Sequence, residues 1–541
     1  MGSLLEISLN TPTAGAALDA NPRAVSRDAA MRLENLRVDR GFARSRFGYT
    51  TLNGAAFDSK RVIDIFDRTF ADGTGETTRH TRDTTQRSVA GAWSAVTLDA
   101  AWTGPDTSRF WCAAIPFGAE TKGRLAYGNG VDILKTWTGG AGTMTAYPGG
   151  FASRFAIVGD DNRLFLGYTT EGGNPYSQRV RWTVIGLVNG GATDWTGTGS
   201  GALDLRSDPW PITGFWKQGG RIYVGKSRGI CVLTPTGIST DAYGYETLQT
   251  NGEGLFAPGS LVQFGNLVAF VTHLGITVFD GVSLTPILGL NQRNFIQRLN
   301  ATALNQITVA FDTHNNRVGW GLPLDGATTP TEIWWYEATT GHWEIDTVPH
   351  SAISLYSSVN TTTIDSLAGT IDALAGTIDS LSGTGVNEPI LIIGTNAGAT
   401  YQFNNSATTD IGNAIPSIYA SPALVPLGQT VSLAGRQHEV TEDDYLVVDG
   451  VSVRFLDRGD AYTAQAEVSG DGGANWTLIG TAAISPGGGT DNYPRLARAV
   501  MRARQPVKDA VQVRLANNTP GARWGWADLT VYLDIVGRKR P

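Results

Sequence analysis

Sulfur is scarce in this chain. Two cysteines occur in 541 residues, Cys112 and Cys231. They lie far apart with no CxxC or Cys/His cluster near either, which excludes a disulfide scaffold and offers no zinc site. Each sits in an apolar run, RFWCAAI and GICVLTP, and reads as a buried thiol. Long hydrophobic runs are missing too: none approaches the ~18 apolar residues of a membrane helix, so no stable membrane insertion is expected. The opening MGSLLEISLNTPTAGAALDANPRA lacks the basic segment and apolar core of a secretory leader. That predicts a chain that stays soluble where it is made, or leaves by another route. There is no basic excess either. A formal charge of −7 is modest for this size and implies neither a polyanion-binding domain nor an acidic disordered tail.

Catalytic signatures are equally thin. The histidines, His80, His273, His314, His342, His350 and His438, form no HxH, HExxH or His-Cys pairing. His273 and His342 fall in hairpin turns, where a polar surface role is expected. GRIYVGKS from Gly220 to Ser227 fits the string GxxxxGK[ST] and GKSRG from Gly225 to Gly229 fits GxSxG. Both fall inside a phrase that reads as a β-hairpin, ITGFWKQGGRIYVGKSRGICVLTPTG, whereas a phosphate loop or a nucleophile elbow joins a strand to a helix. Asp160 and Asp161 share a turn, but the spacing of a calcium loop is absent, and turns recruit Asp and Asn for their own backbone hydrogen bonds. The expectation is therefore no catalytic residue, no cofactor-binding residue, no metal ligand, no cofactor, and a chain that is not an enzyme.

Glycine and aromatic residues are abundant, with 67 Gly, 15 Trp and 16 Tyr, the profile of a turn-rich all-β protein. From Ile212 to Asp346 one pattern is repeated three times: ITGFWKQGGRIYVGKSRGICVLTPTG, GSLVQFGNLVAFVTHLGITVFDGVSLTPI and RVGWGLPLDGATTPTEIWWYEATTGHWEID. Each phrase is an apolar run, a short Gly-containing turn and a second apolar run, which predicts an antiparallel hairpin. Ile222, Tyr223, Val224, Ile230, Val232, Val268, Phe270, Ile276, Val278 and Phe279 are β-branched or aromatic, and Gly229, Gly275 and Gly281 stand where a reversal needs positive φ. Runs this dense leave little polar face, so both sides of each sheet are expected to be covered. Hairpins returning every few tens of residues point to a β-propeller of six or seven blades.

In chain order, residues 1–40 predict an extended N-terminal arm, with RDAAMRLENLRV read as mostly extended. The propeller-like core spans 41–412, with an Asn-Gly hairpin turn at Asn53-Gly54, a Gly159 to Asn162 turn, and a short helix in NQRNFIQRLN presenting Phe295, Ile296 and Leu299 on one face. Within the core, 361–385 is a low-complexity insertion. Its words IDSLAGT, IDALAGT and IDSLSGT place Ile364, Leu367, Ile371, Leu374, Ile378 and Leu381 at coiled-coil spacing, but a Gly in every heptad costs about 1 kcal/mol against Ala. It reads as ordered only by docking, or as a solvated loop. EPILIIGTNAGATYQFNN is one more core hairpin, turning at Asn396 to Gly398. From 413 to 541 stricter alternation predicts a C-terminal β-sandwich with one wet face per strand. There Ser469-Gly-Asp-Gly-Gly-Ala-Asn-Trp476 resembles the Asp box of sialidase-type propellers, a structural turn in those families.

The order of the core phrases, with NFIQRLN between the second and third, VAFDTHNNRVGWGLP next, and IWWYEATTGHWEID after it, resembles the tail hub and nozzle proteins of tailed bacteriophages. The similarity covers Phe42 to Asn405. The resemblance implies a structural virion protein, assembled in the host cytoplasm, that forms a ring, typically a hexamer, below the portal and adaptor. Other tail proteins, with tail fibres or spikes among them, are the implied partners. Genome DNA would be retained and ejected through the ring without sequence-specific binding, and the resemblance carries over no catalytic residue. The missing basic excess suits a lumen through which phosphates slide. Arg495, Arg498, Arg502, Arg504 and the end Arg538-Lys539-Arg540 could dock on an acidic neighbour or form a solvated face. The alternatives are a glycan-processing propeller of the glycosidase kind, or a glycan-binding module using exposed tryptophans, with Trp524 and Trp526 as first candidates.

Overall fold

Ile222, Tyr223 and Val224 show how the sheets are built. In a strand successive side chains leave opposite faces. Ile222 and Val224 enter one apolar cluster, while Tyr223 enters the next. A computed structural model describes residues 4–538 except the segments 53–58, 186–189, 357–388, 425–429 and 488–494, the pairs 90–91, 118–119, 434–435, 442–443 and 508–509, and positions 40, 240 and 405.

Seven four-stranded antiparallel blades follow in order: residues 64–95, 111–146, 152–204, 212–247, 262–286, 308–347 and 352–403. The number is seven because the last blade takes its fourth strand, Tyr49–Thr51, from the start of the chain, pairing Tyr49 with Phe403 and Thr51 with Tyr401. Each neighbouring pair of blades shares one apolar cluster. The set closes between blades 7 and 1 on Leu52, Val62, Ile65, Ala352 and Ile392. Both faces of every blade are thus covered, which is why the core strands read as continuous apolar runs.

The three repeated phrases are blades 4, 5 and 6. Gly275 has φ +106, and a Cβ there would meet the Leu288 side chain at 2.5 Å, so the tight turn requires glycine. The one α-helix among the described residues, Gln292–Arg298, lies between blades 5 and 6. Its expected apolar face is only partly correct. Phe295 is buried against Trp334 at 5.7 Å between ring centroids, but Ile296 is 47% exposed and Leu299 falls just past the end, because a helix of two turns buries only one of its positions here.

The N-terminal arm is extended, as RDAAMRLENLRV suggests, and its strands are part of the sandwich. Leu4–Asn10 pairs along its whole length with Gly525–Arg538, burying Leu5, Ile7 and Leu9. One sandwich sheet runs Arg495–Val507, Asp444–Asp457, Gly525–Arg538, Phe42–Ser45, Leu36–Asp39. The other runs Arg32–Glu34, Ser417–Ala420, Gln512–Asn517, Tyr462–Ser469, Thr477–Ile484. Glu34 also pairs in parallel with Ile345, on the outer strand of blade 6, so one nine-stranded sheet runs from propeller to sandwich. The Asn53-Gly54 turn, the heptad words of 361–385 and the terminal Lys539-Arg540 lie outside the described residues. The Gly159 to Asn162 turn and the Asn396 to Gly398 turn form as expected.

Two buried histidines depend on this packing. The His80 nitrogens meet the hydroxyls of Thr78 and Thr85 at 3.2 and 3.0 Å. His350 lies within 2.8 Å of the Val348 carbonyl through Nδ1 and 2.9 Å of the Thr308 hydroxyl through Nε2, partners that suit a neutral ring. Burial pushes His80 down to about 3 and His350 down to about 4. A histidine whose folded pKa is depressed contributes stability that is complete above its unfolded value of about 6.5 and lost as pH falls toward the folded one. For His350 alone the loss by pH 4 is ~3 kcal/mol. Urea unfolding midpoints measured across that window should fall steeply, and His350→Gln should flatten the fall; an unchanged slope in the variant contradicts this.

Candidate functional site

Two concave regions carry much of the polar chemistry among the described residues, one at the junction of propeller and sandwich and one on the propeller axis. At the junction the chain changes sheets at Asn35, which has φ +53, a left-handed conformation that Asn tolerates better than most residues. The Asn35 side-chain oxygen accepts from Arg46 Nε at 2.9 Å and Thr347 N at 3.0 Å, while its amide donates to the Pro416 carbonyl at 2.7 Å. Arg46 also grips Asp410 through two nitrogens at 2.9 and 2.5 Å. Arg37 pairs with Asp346 and, at 3.3 Å, with Glu344, and Trp335 Nε1 donates to Asp346 at 2.7 Å. Burial opposes the charges of Glu344 and Asp346, yet the adjacent guanidinium groups hold both carboxyls below their ordinary values. Asp410 moves the other way, raised by burial against the pull of Arg46. Beside this cluster lies a cleft of ≈ 650 Å³ walled by Arg317, Asp312, His342 and Phe403.

The axial cavity, ≈ 620 Å³, is bounded by residues of or beside the first strand of all seven blades. Its walls carry Phe66, Phe155 and Phe311, and its charged groups are Asp64, Asp67, Arg68, Arg109 and Arg154. Asp64 pairs with Arg109 at 2.6 Å and accepts from the Phe110 amide at 2.7 Å. Arg109 in turn donates to the carbonyls of Ile63 and Ser351 at 3.1 and 3.3 Å, tying blades 7, 1 and 2. Burial pushes the Asp64 carboxyl up to about 6 although Arg109 pulls it down. Cys112 also faces the cavity, and burial raises its thiol to about 11, so it stays protonated.

Most residues singled out in the sequence lie elsewhere. Trp524 and Trp526 are not exposed ligand-binding rings: they are 1% and 0% exposed. Both occupy inward positions of the sandwich, with Trp526 against Tyr419 at 4.7 Å. Asp160 and Asp161 part company, the first to Lys217 at 2.8 Å and the second to the Tyr243 hydroxyl at 2.7 Å. In the Asp box Asp471 accepts from the Asn475 amide at 2.9 Å, and Arg514 covers Trp476 at 4.7 Å, a folded turn. Arg495, Arg498, Arg502 and Arg504 are exposed along one strand, with Arg498 bonded to Tyr532 and Arg504 3.2 Å from Asp534. Cys231 is buried and Cys112 half-buried, both free thiols. Among the described residues no group of three or more His, Cys, Asp or Glu is placed to hold a metal.

No family model matches the chain, and no curated protein does. Among solved structures, the extracellular domain of a hybrid two-component system from B. thetaiotaomicron aligns at TM-score 0.41 and 10% identity, over 91% of this chain and 62% of its own length. A second such domain from the same organism aligns at 0.37 and 10%, over 83% and 47%. An exo-beta-1,3-galactanase from Phanerochaete chrysosporium aligns at 0.28 and 10%, over 90% of this chain and 100% of its own. None of these three is a phage tail protein. Against the expectation of a chain that is not an enzyme, one of the three is a galactanase; at that score it names neither a reaction nor a residue here.

Breaking the junction cluster should be costly. Removing one partner strands a buried charge, a loss of about 3–5 kcal/mol. Asp346→Ala takes a shared buried carboxylate from Arg37, Arg46 and the Trp335 indole while leaving Arg37 with Glu344 and Arg46 with Asp410. It should lower unfolding free energy by about 3 kcal/mol in urea titrations, the lower end of that range; a loss below about 1 kcal/mol, the size of a surface pair, would contradict the burial argument.

Proposed function

We propose that the chain is a structural subunit of a bacteriophage tail, a hub or nozzle protein. In this reading copies assemble as a ring, a hexamer by resemblance, against the portal and adaptor and surround the path by which DNA is retained and ejected. The observation that carries the reading is the order of blades 4, 5 and 6. The three phrases that bear the resemblance are consecutive blades, and the Gln292–Arg298 helix stands between the second and third. The continuous nine-stranded sheet supports it further, because a ring that holds its bore under load needs subunits whose parts do not hinge. A chain of net charge −7 would let DNA pass without gripping its phosphates. Electron microscopy of the purified protein, alone and beside its portal and adaptor partners, should show closed rings. A monomer that never enters rings under either condition counts against the proposal.

The axial cavity favours a second reading, glycan processing. Asp64, raised to about 6, is the kind of carboxyl that serves as a general acid near neutrality, and Asp67 is a second carboxylate on the same wall. This reading predicts sugar release from bacterial surface polysaccharide and its loss in Asp64→Asn. A wild-type protein that releases nothing removes it.

A further inference from the structure

We infer that the axial cavity binds a small organic anion, a carboxylate or phosphate carried on a ring of monosaccharide size, through Arg68 and Arg154. This needs no bond to be broken, so it stands or falls apart from glycan processing, and it does not depend on assembly into rings.

Size is the first support. A cavity of ≈ 620 Å³ lies within the range of small-molecule sites, which pair apolar walls with a few placed polar groups. Phe66, Phe155 and Phe311 supply the walls. The charge arrangement supplies the sign. Asp64 is occupied by Arg109 and by the Phe110 amide, and Asp67 accepts from the Thr77 hydroxyl at 2.7 Å. Arg68 and Arg154 are both exposed. Among the described residues neither has a carboxylate within ion-pair distance: Arg68 donates to its neighbour's carbonyl at 3.1 Å and lies 5.8 Å from the Phe66 ring, while Arg154 sits over the Tyr168 ring at 4.1 Å. A guanidinium laid on an aromatic face is oriented without being neutralised, and its planar fork suits a carboxylate or phosphate.

The platform beneath Arg154 is itself strained. Tyr168 has φ +55, rare for a bulky side chain, and falls where the register of blade 3 shifts between Gly167 and Thr169. A bulge re-aims a side chain, here bringing the Tyr168 ring to Arg154. The two arginines border one cavity: Arg68 reaches the Cys112 thiol, Cys112 and Arg154 line the same space, and the Trp111 indole, donating to the Ser153 carbonyl at 2.9 Å, ties blade 2 to blade 3.

Titration calorimetry with glucuronate, glucose 6-phosphate and glucose tests the inference. One or both anions should bind and glucose should not, and the anion that binds identifies carboxylate or phosphate as the favoured group. Arg68→Ala and Arg154→Ala should each weaken the bound anion about tenfold or more, and Arg154→Lys should retain part of the affinity. Circular dichroism confirms that each variant is folded, and exposed Arg68 provides a second variant should the Arg154 change unfold blade 3. Failure of both anions to bind, equal binding of glucose, or anion affinity unaltered in both alanine variants would overturn the inference.

Discussion

Asp346 is completely enclosed and yet stays ionised, because Arg37 and Arg46 reach it from the N-terminal strands of the sandwich while Trp335 donates to it from blade 6. Taking a carboxylate out of water is tolerable only when opposite charge and hydrogen bonds replace the lost solvent. Trp335 shares blade 6 with Asp346, but both arginines come from the N-terminal segment, so the carboxylate meets its counter-charges only when propeller and sandwich are correctly apposed. Asn35 plays the matching backbone role. It binds Arg46, Thr347 and Pro416 at once and turns the chain from one sandwich sheet to the other. Association of the two modules is thereby made specific as well as favourable, since a displaced interface would leave charge buried and unpaired.

The same N-terminal segment performs a second closure. After leaving the sandwich it supplies the last strand of blade 7, and the chain then starts blade 1, whose cluster with blade 7 completes the ring of seven apolar interfaces. Closure leaves an axial space lined by first strands, and those strands carry the arginines and aspartates that the apolar interfaces between blades cannot accommodate. The molecule's scaffold and its polar cavity are therefore consequences of one topology.

Much of the β architecture was legible from local pattern. Ile222-Tyr223-Val224 and its counterparts in blades 5 and 6 announce strands covered on both faces, and Gly275 marks a turn that only glycine fits. Seven blades could not be counted, because the closing strand comes from Tyr49–Thr51, far from the hairpin it completes. The alternation of Leu5, Ile7 and Leu9 was present in the sequence, but only the pairing with Gly525–Arg538 shows what it packs against. Trp524 and Trp526 misled for a related reason: aromatic content near a chain end says nothing about which face of a strand is inward. The cavity residues Asp64, Arg68, Arg109 and Arg154 carry no motif. The signal that would have found them is positional, since each lies on or just before the first strand of its blade.

If Asp346 and its arginines join the two modules, neither should melt without the other. Differential scanning calorimetry of the full chain measures this directly, because a single cooperative unit gives a calorimetric enthalpy equal to the van't Hoff enthalpy. One transition with matching enthalpies is the predicted result; two resolved transitions, with the sandwich and the propeller unfolding separately, would contradict it.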